Sequence, residues 1–319
     1  MKTSSIVPGN IKDTELITYL ANRFTYLSEE QWRERVVQGR LFCNDAPCTV
    51  DTTINGGDRV TYDMPDFVEP PADLSYSIVY EDEYLLGINK PGNLLVHRAG
   101  RSVRSNLIYH LRYLRTPSFS DAHIVNRLDR ETSGVVMVAK GNDALVDMQR
   151  LFANREVQKS YLAIVHGVPD SVCCRIDVPI GKDRSSSVTS RFCVEGHNAK
   201  SAVTDMRLLR RWGDDFSLIR LHPHTGRTHQ LRVHMAHLGH VIAGDKLYGL
   251  NDLQYTRWRE KPEEFASTFP IKRQALHCES LEFNHPCTNA RCRITAQLPA
   301  DIQQFIQTLD ESCDPEDVI

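Results

Sequence analysis

The residues best suited to chemistry gather around Asp129, within His123-Ile-Val-Asn-Arg-Leu-Asp129-Arg-Glu-Thr-Ser-Gly134. An acid between Arg127 and Arg130, followed by Thr-Ser-Gly, is a charged turn, and the apolar run Val135–Ala139 after it reads as a buried strand. Asp129 therefore stands at the mouth of a strand, where catalytic groups are commonly displayed. Taken alone, the stretch fits a structural ion pair equally well. A second cluster, His222, His224, His229, His234, His237 and His240, raises the chemistry of zinc. Zinc hydrolases place two histidines one helical turn apart with a carboxylate nearby. Gln230 and Arg232 stand in that helix instead, so histidines bonding backbone or nucleic acid are the better reading, and no metal is expected.

The run Arg127-Leu-Asp-Arg-Glu-Thr-Ser-Gly134 resembles the catalytic motif of the RluA-type family of pseudouridine synthases, which turn selected uridines in RNA into their C-glycoside isomer. Further family motifs follow in the family order: Lys90-Pro-Gly-Asn-Leu-Leu-Val-His97, Lys159-Ser-Tyr161 with Gly167, Thr225–His234, Gly244-Asp-Lys-Leu-Tyr248, and His277 followed by Phe283-Asn-His-Pro286. The likeness covers nearly everything from about residue 76 to 300. It implies an isomerase of the α+β class, with a mainly antiparallel mixed sheet in the pseudouridine synthase catalytic domain.

That reaction breaks an N-glycosidic bond, turns the uracil while it stays bound, and rejoins it through carbon five with loss of a proton. It needs an ionised carboxylate in a dry pocket, a cation to keep it ionised, a flat surface for the ring and a route for the proton, but no cofactor. The resemblance assigns Asp129 as the catalytic aspartate and Arg232 as its basic partner, with Leu231 as the apolar contact for the base; Arg227, in the same Thr-Gly-Arg turn, is the second choice of cation. It assigns Tyr161 to packing on the uracil and handling the proton, and Lys159 to a supporting or phosphate contact. Arg127 matches the arginine that fills the gap left when a uridine is extruded from a helix.

Three positions depart from the pattern. Asn126 stands where the family most often has histidine, Asn93 replaces a glycine, and Arg98 replaces a frequent proline, adding charge near the RNA face. Asparagine tolerates left-handed backbone, so Asn93 is a mild change.

The elements that must position these residues fall into two parts. Residues 1–12 read as a flexible lead-in, followed by a helix from Thr14, a second from Ser28 through Val37, and strands at Arg40–Asp45 and after Gly56. Residues 1–65 thus resemble the small alpha-L type RNA-binding domain, in which Arg33, Arg35 and Arg40 would face phosphate. A linker is expected at 66–75, the catalytic domain at 76–310 and an acidic tail at 311–319. Within the catalytic domain, strands are expected at Ser77–Tyr80, Leu85–Asn89, Val157–Val165 and Phe216–Leu221. One helix is expected to be capped by Asn142, another to present Leu231, Met235 and Leu238, and residues 184–200 to form an exposed, mobile hairpin or loop.

A formal net charge of −3 sits awkwardly with RNA binding, but a basic face matters more than a total, and arginines cluster at Arg98–Arg115 and Arg207–Arg211. Nine cysteines without a Cys-x-x-Cys, the lack of an apolar leader and the lack of a membrane-length apolar run point to a cytoplasmic protein. The expected partner is RNA, ribosomal or transfer, bound by a monomer. A binding or assembly factor that has the fold without the activity is the rival from another class.

Overall fold

The computed structural model describes residues 2–24, 27–64, 68–100 and 102–313. The chain divides into two compact units, 1–69 and 70–319.

In the first unit, helices Leu16–Arg23 and Glu29–Val37 bury Leu16, Leu20, Trp32 and Val36 against a small sheet. Ser28 caps the second helix in a reciprocal capping box with Gln31. The lead-in expectation needs correcting. Lys2–Ile6 is a strand, paired antiparallel with Arg59–Asp63, which pairs in turn with Leu41–Cys43. Its side chains are mostly polar and outward, so its order comes from the backbone ladder and leaves no apolar signal.

The second unit is built on a ten-stranded sheet. From one edge run Cys173–Asp177, Val203–Trp212, Phe216–Pro223, Gln158–His166, Leu276–Asn284, Ser133–Ala139, Leu85–Lys90 and Ser77–Glu81. His123–Ile124 and Arg291–Thr295 pair off this path. Every pairing is antiparallel except Ser133–Ala139 against Leu276–Asn284, so the sheet is mixed and mainly antiparallel. Ser133–Ala139 lies between two neighbours and is buried at every residue, which explains its unbroken apolar run. Its Gly134 has φ +111°, and a Cβ there would stand 2.1 Å from the Cys278 carbonyl oxygen. Only glycine lets the two parallel strands approach this closely.

Some boundaries differ from expectation. Pro71 and Asp73, placed in the linker, hydrogen-bond to Arg130 and Asn93 within the second unit. Asn142 is the first residue of helix Asn142–Ala153 and caps nothing; Gly141 holds the cap position without a side-chain bond. Leu238 lies beyond the helix Gln230–His237 and is 37% exposed, so it does not share the buried face of Leu231 and Met235. Phe192–Val194 and His197–Lys200 flank Ile180–Lys182 in a three-stranded sheet, giving the 184–200 segment defined structure. A C-terminal helix, Ala300–Ser312, buries Ile302, Phe305 and Leu309, and so continues into the expected tail, whose residues 314–319 lie outside those described. Among the described residues no helix is long and apolar enough to cross a membrane.

Candidate active site

Asp129 opens the turn, closed by the Thr132 N–H on the Asp129 carbonyl, that feeds the buried strand Ser133–Ala139, and Arg232 projects from the helix Gln230–His237. The two meet: Arg232 Nη1 donates to Asp129 Oδ2 at 2.8 Å. The other edge of the guanidinium is held by Asp245, whose carboxylate accepts from Nε at 2.6 Å and Nη2 at 2.8 Å. Asp245 also accepts from the backbone N–H groups of Leu247 and Tyr248, capping a short helix. The planar fork of arginine is what lets one cation bridge two carboxylates. Burial pushes the Asp129 carboxyl up, but Arg232, His229 and Lys90 outweigh it and hold the group below the usual carboxylate range. The acid is thus ionised although its side chain is only 31% exposed.

His229 sits at the start of the same helix with φ +57°, a left-handed conformation rarely adopted by a side chain of its size. Its Nε2 lies 3.9 Å from Asp129 Oδ2, beyond hydrogen-bond range. Burial and the Arg232 charge push its pKa down to about 4, leaving a neutral imidazole. Its Nδ1 lies 2.9 Å from Tyr248 Oη, which also accepts from the Phe192 N–H at 3.3 Å, so the ring is held in place beside Asp129.

A cavity of about 330 Å³ opens beside this pair. Asp129, Tyr161, Arg232, Arg127, Leu231, Arg227 and Lys159 all line it. Tyr161 is 8% exposed and Leu231 7%, so ring and isobutyl group form apolar walls. Burial and the adjacent Cys278 thiol hold the Tyr161 phenol protonated, well above its ordinary pKa. Burial brings Lys159 down to about 8, and its Nζ donates to the Thr225 carbonyl, tying its strand to the turn that carries Arg227. Arg227 points its Nε at the Ser201 carbonyl rather than at Asp129, so it is not the cation of the pair. Arg127 is exposed at the rim and forms no ion pair among the described residues. Arg98 lines an adjoining cavity, while Arg33, exposed, and Arg35 and Arg40, half-buried, belong to the other unit.

The supporting contacts were largely missed by the sequence reading. Buried Lys90 donates to the carbonyls of Pro91, Leu94 and Arg130, which pins the Lys90–His97 loop beside Asp129. Burial lowers its pKa to about 7. Arg273 clamps the backbone of Glu131 while forking onto Asp301, and Lys246 pairs with the Glu131 carboxylate. Asn126 accepts from the Met137 N–H at 2.7 Å and faces the Val135 carbonyl at 3.4 Å, so it braces the strand behind Asp129. Asn93 has φ +55°, the conformation that makes asparagine a tolerable substitute for glycine.

The six histidines disperse. Buried His234 accepts from Thr204 and donates to Val178, His222 and His240 donate to carbonyls, and His224 meets Asp205. Among the described residues no group of three or more His, Cys, Asp or Glu is placed to hold a metal ion.

A carboxylate kept ionised by a bridging arginine, beside a nucleobase-sized cavity walled by tyrosine and leucine, has clear counterparts. The family model described as RNA pseudouridylate synthase matches residues 84–237. The ribosomal large subunit pseudouridine synthase D of Vibrio cholerae is 34% identical over 94% of this chain and 94% of its own. Synthase C of the same organism is 35% identical over 76% of this chain and 71% of its own. Among solved structures, human RNA pseudouridylate synthase domain containing 1 matches with a TM-score of 0.55 and 28% identity, covering 78% of this chain and 100% of that one. The chain belongs to the RNA pseudouridine synthase family. It is an isomerase acting on uridine in RNA.

Proposed function

We propose that this enzyme isomerises a specific uridine in large-subunit ribosomal RNA, acting in the cytoplasm as a monomer. The observation that carries the catalytic reading is the Asp129–Arg232 contact at the mouth of the uridine-sized cavity. Asp129 attacks the anomeric carbon or the uracil ring, with Arg232 holding it ionised until the moment of attack. Leu231 and the ring of Tyr161 pack on the uracil as it turns, and the Tyr161 phenol, protonated at neutral pH, takes part in moving the carbon-five proton. Arg127, exposed at the rim, fills the space vacated by the extruded nucleotide. Arg227 and Lys159 frame the phosphate side, and Arg98 extends the basic face.

Ribosomal RNA is favoured over transfer RNA by the relatives from Vibrio cholerae, which are synthases of the large ribosomal subunit. The first unit is assigned to RNA binding through Arg33, Arg35 and Arg40. Cytoplasmic residence is supported by nine cysteines that are all free thiols.

The test is pseudouridine mapping of total RNA from cells with and without the gene. Loss of a site in large-subunit ribosomal RNA is expected. Loss confined to transfer RNA would overturn the substrate assignment, and loss nowhere would overturn the activity.

A further inference from the structure

The uridine cavity does not stand alone. A larger one, about 960 Å³, adjoins it and shares Arg127, Leu128, Asp129, His229 and Arg232. Its far side is made by the helix Asp252–Glu260, which buries none of its residues. Aromatic side chains on such a helix contribute nothing to a core, yet Tyr255 and Trp258 stand three apart on one face with rings 5.5 Å between centroids, both lining the cavity. Arg259 lines it beside them and forms no ion pair among the described residues.

The helix is held firmly for an element with no buried face. Asn251 caps it in a capping box with Gln254. Asp252 accepts from Ser186 and Ser187 and pairs with Arg191 at 3.0 Å, and Arg257 is clipped to Glu264 at 2.5 Å. The charge of the cavity is one-sided. Its carboxylates, Asp129 and Glu131, are engaged by Arg232 and Lys246, while Arg127, Arg130 and Arg259 remain in excess. Flat aromatic faces next to unbalanced guanidinium groups, continuous with a site for one nucleotide, match a phosphodiester strand with a stacked base.

We propose that Tyr255, Trp258 and Arg259 form a stacking platform for a nucleotide neighbouring the target uridine in the RNA strand. This deepens the reading of the enzyme as a modifier of ribosomal RNA and rests on it for the identity of the strand. The platform grips the flank of the substrate, so it governs capture of RNA rather than the chemistry at Asp129.

Intrinsic fluorescence reads the platform directly. Of the three tryptophans, Trp32 and Trp212 are each 1% exposed, which leaves Trp258 as the reporter at the cavity. Titration of the full chain with a short oligouridylate should quench tryptophan emission, whereas uridine monophosphate, which occupies the inner cavity alone, should not. On a large-subunit ribosomal RNA transcript, Trp258→Ala should raise KM roughly 5- to 150-fold, the range for one lost base–aromatic stack, with kcat within about twofold. Trp258→Phe should keep KM within about threefold. No quench with the oligonucleotide, or a wild-type KM in Trp258→Ala, would overturn the platform. A wild-type enzyme inactive on the transcript would contradict the ribosomal assignment instead, and the quench would still decide the platform by itself.

Discussion

Replacing Arg232 with methionine removes the cation between two carboxylates while keeping most of the side-chain volume. In the wild-type site Asp245 is 1% exposed, Arg232 10% and Asp129 31%, so the bridge lies largely out of water. Opposite unit charges about 4 Å apart attract by about 4 kcal/mol at an effective dielectric near 20. Partial exposure of Asp129 screens this to about 2–3 kcal/mol, roughly 30- to 150-fold in the balance between its ionised and neutral forms. The direction follows from the sign. With Arg232 present the carboxyl titrates below its ordinary range, and without it burial prevails and the group titrates higher. The acid limb of kcat/KM should therefore move to higher pH in Arg232→Met. Tritium release from RNA labelled at carbon five of uridine, measured from about pH 5 to 8.5, reads that limb. Stability should fall as well, by about 3–5 kcal/mol, because Asp245 keeps only its two backbone donors. The depressed carboxyl of Asp129 stabilises the fold above its unfolded pKa near 3.9 and loses that contribution as pH falls through its folded value, so the variant and wild type should converge in acid. An unmoved acid limb with kcat within about threefold would refute this reasoning.

Three further outcomes are expected. Gly134→Ala sets a methyl against the Cys278 carbonyl at φ +111° and should cost more than about 3 kcal/mol in urea unfolding, with wild-type stability the contrary result. Lys90 is depressed to about 7 in the fold against about 10.4 unfolded, so its contribution to stability grows as pH rises between those values; Lys90→Met should abolish that rise in urea midpoint, and a parallel pH profile would contradict it. Tyr161→Phe keeps the ring and loses the hydroxyl, and should lower kcat on the order of 10²-fold with KM nearly unchanged; an unaltered kcat would confine Tyr161 to packing.

What was legible in the sequence depended on whether a residue belonged to a pattern. Asp129 and Arg232 are 103 positions apart, and no periodicity relates them; the resemblance did. Asp245 and Tyr248 stood in a recognised motif, yet their task appears only once the Arg232 guanidinium is seen between Asp129 and Asp245. The histidine run raised zinc only to be set aside for histidines that bond backbone or nucleic acid; the particular tasks of His229, a neutral imidazole beside Asp129, and His234, a buried structural link, appear only in the structure. Lys2–Ile6 was illegible because a polar edge strand is held by backbone pairing. The helix Asp252–Glu260 was illegible because it has no buried face to give a period. By contrast, Ile302, Phe305 and Leu309 carry a helical spacing that could have been read.

The central claim is that the Asp129 carboxylate carries the isomerisation. Tritium release by Asp129→Asn against wild type, on the same RNA and at matched protein folding, tests it most directly. Turnover should vanish while RNA affinity and urea midpoint stay close to wild type. Tritium release by the asparagine variant at more than a few per cent of the wild-type rate would contradict the claim.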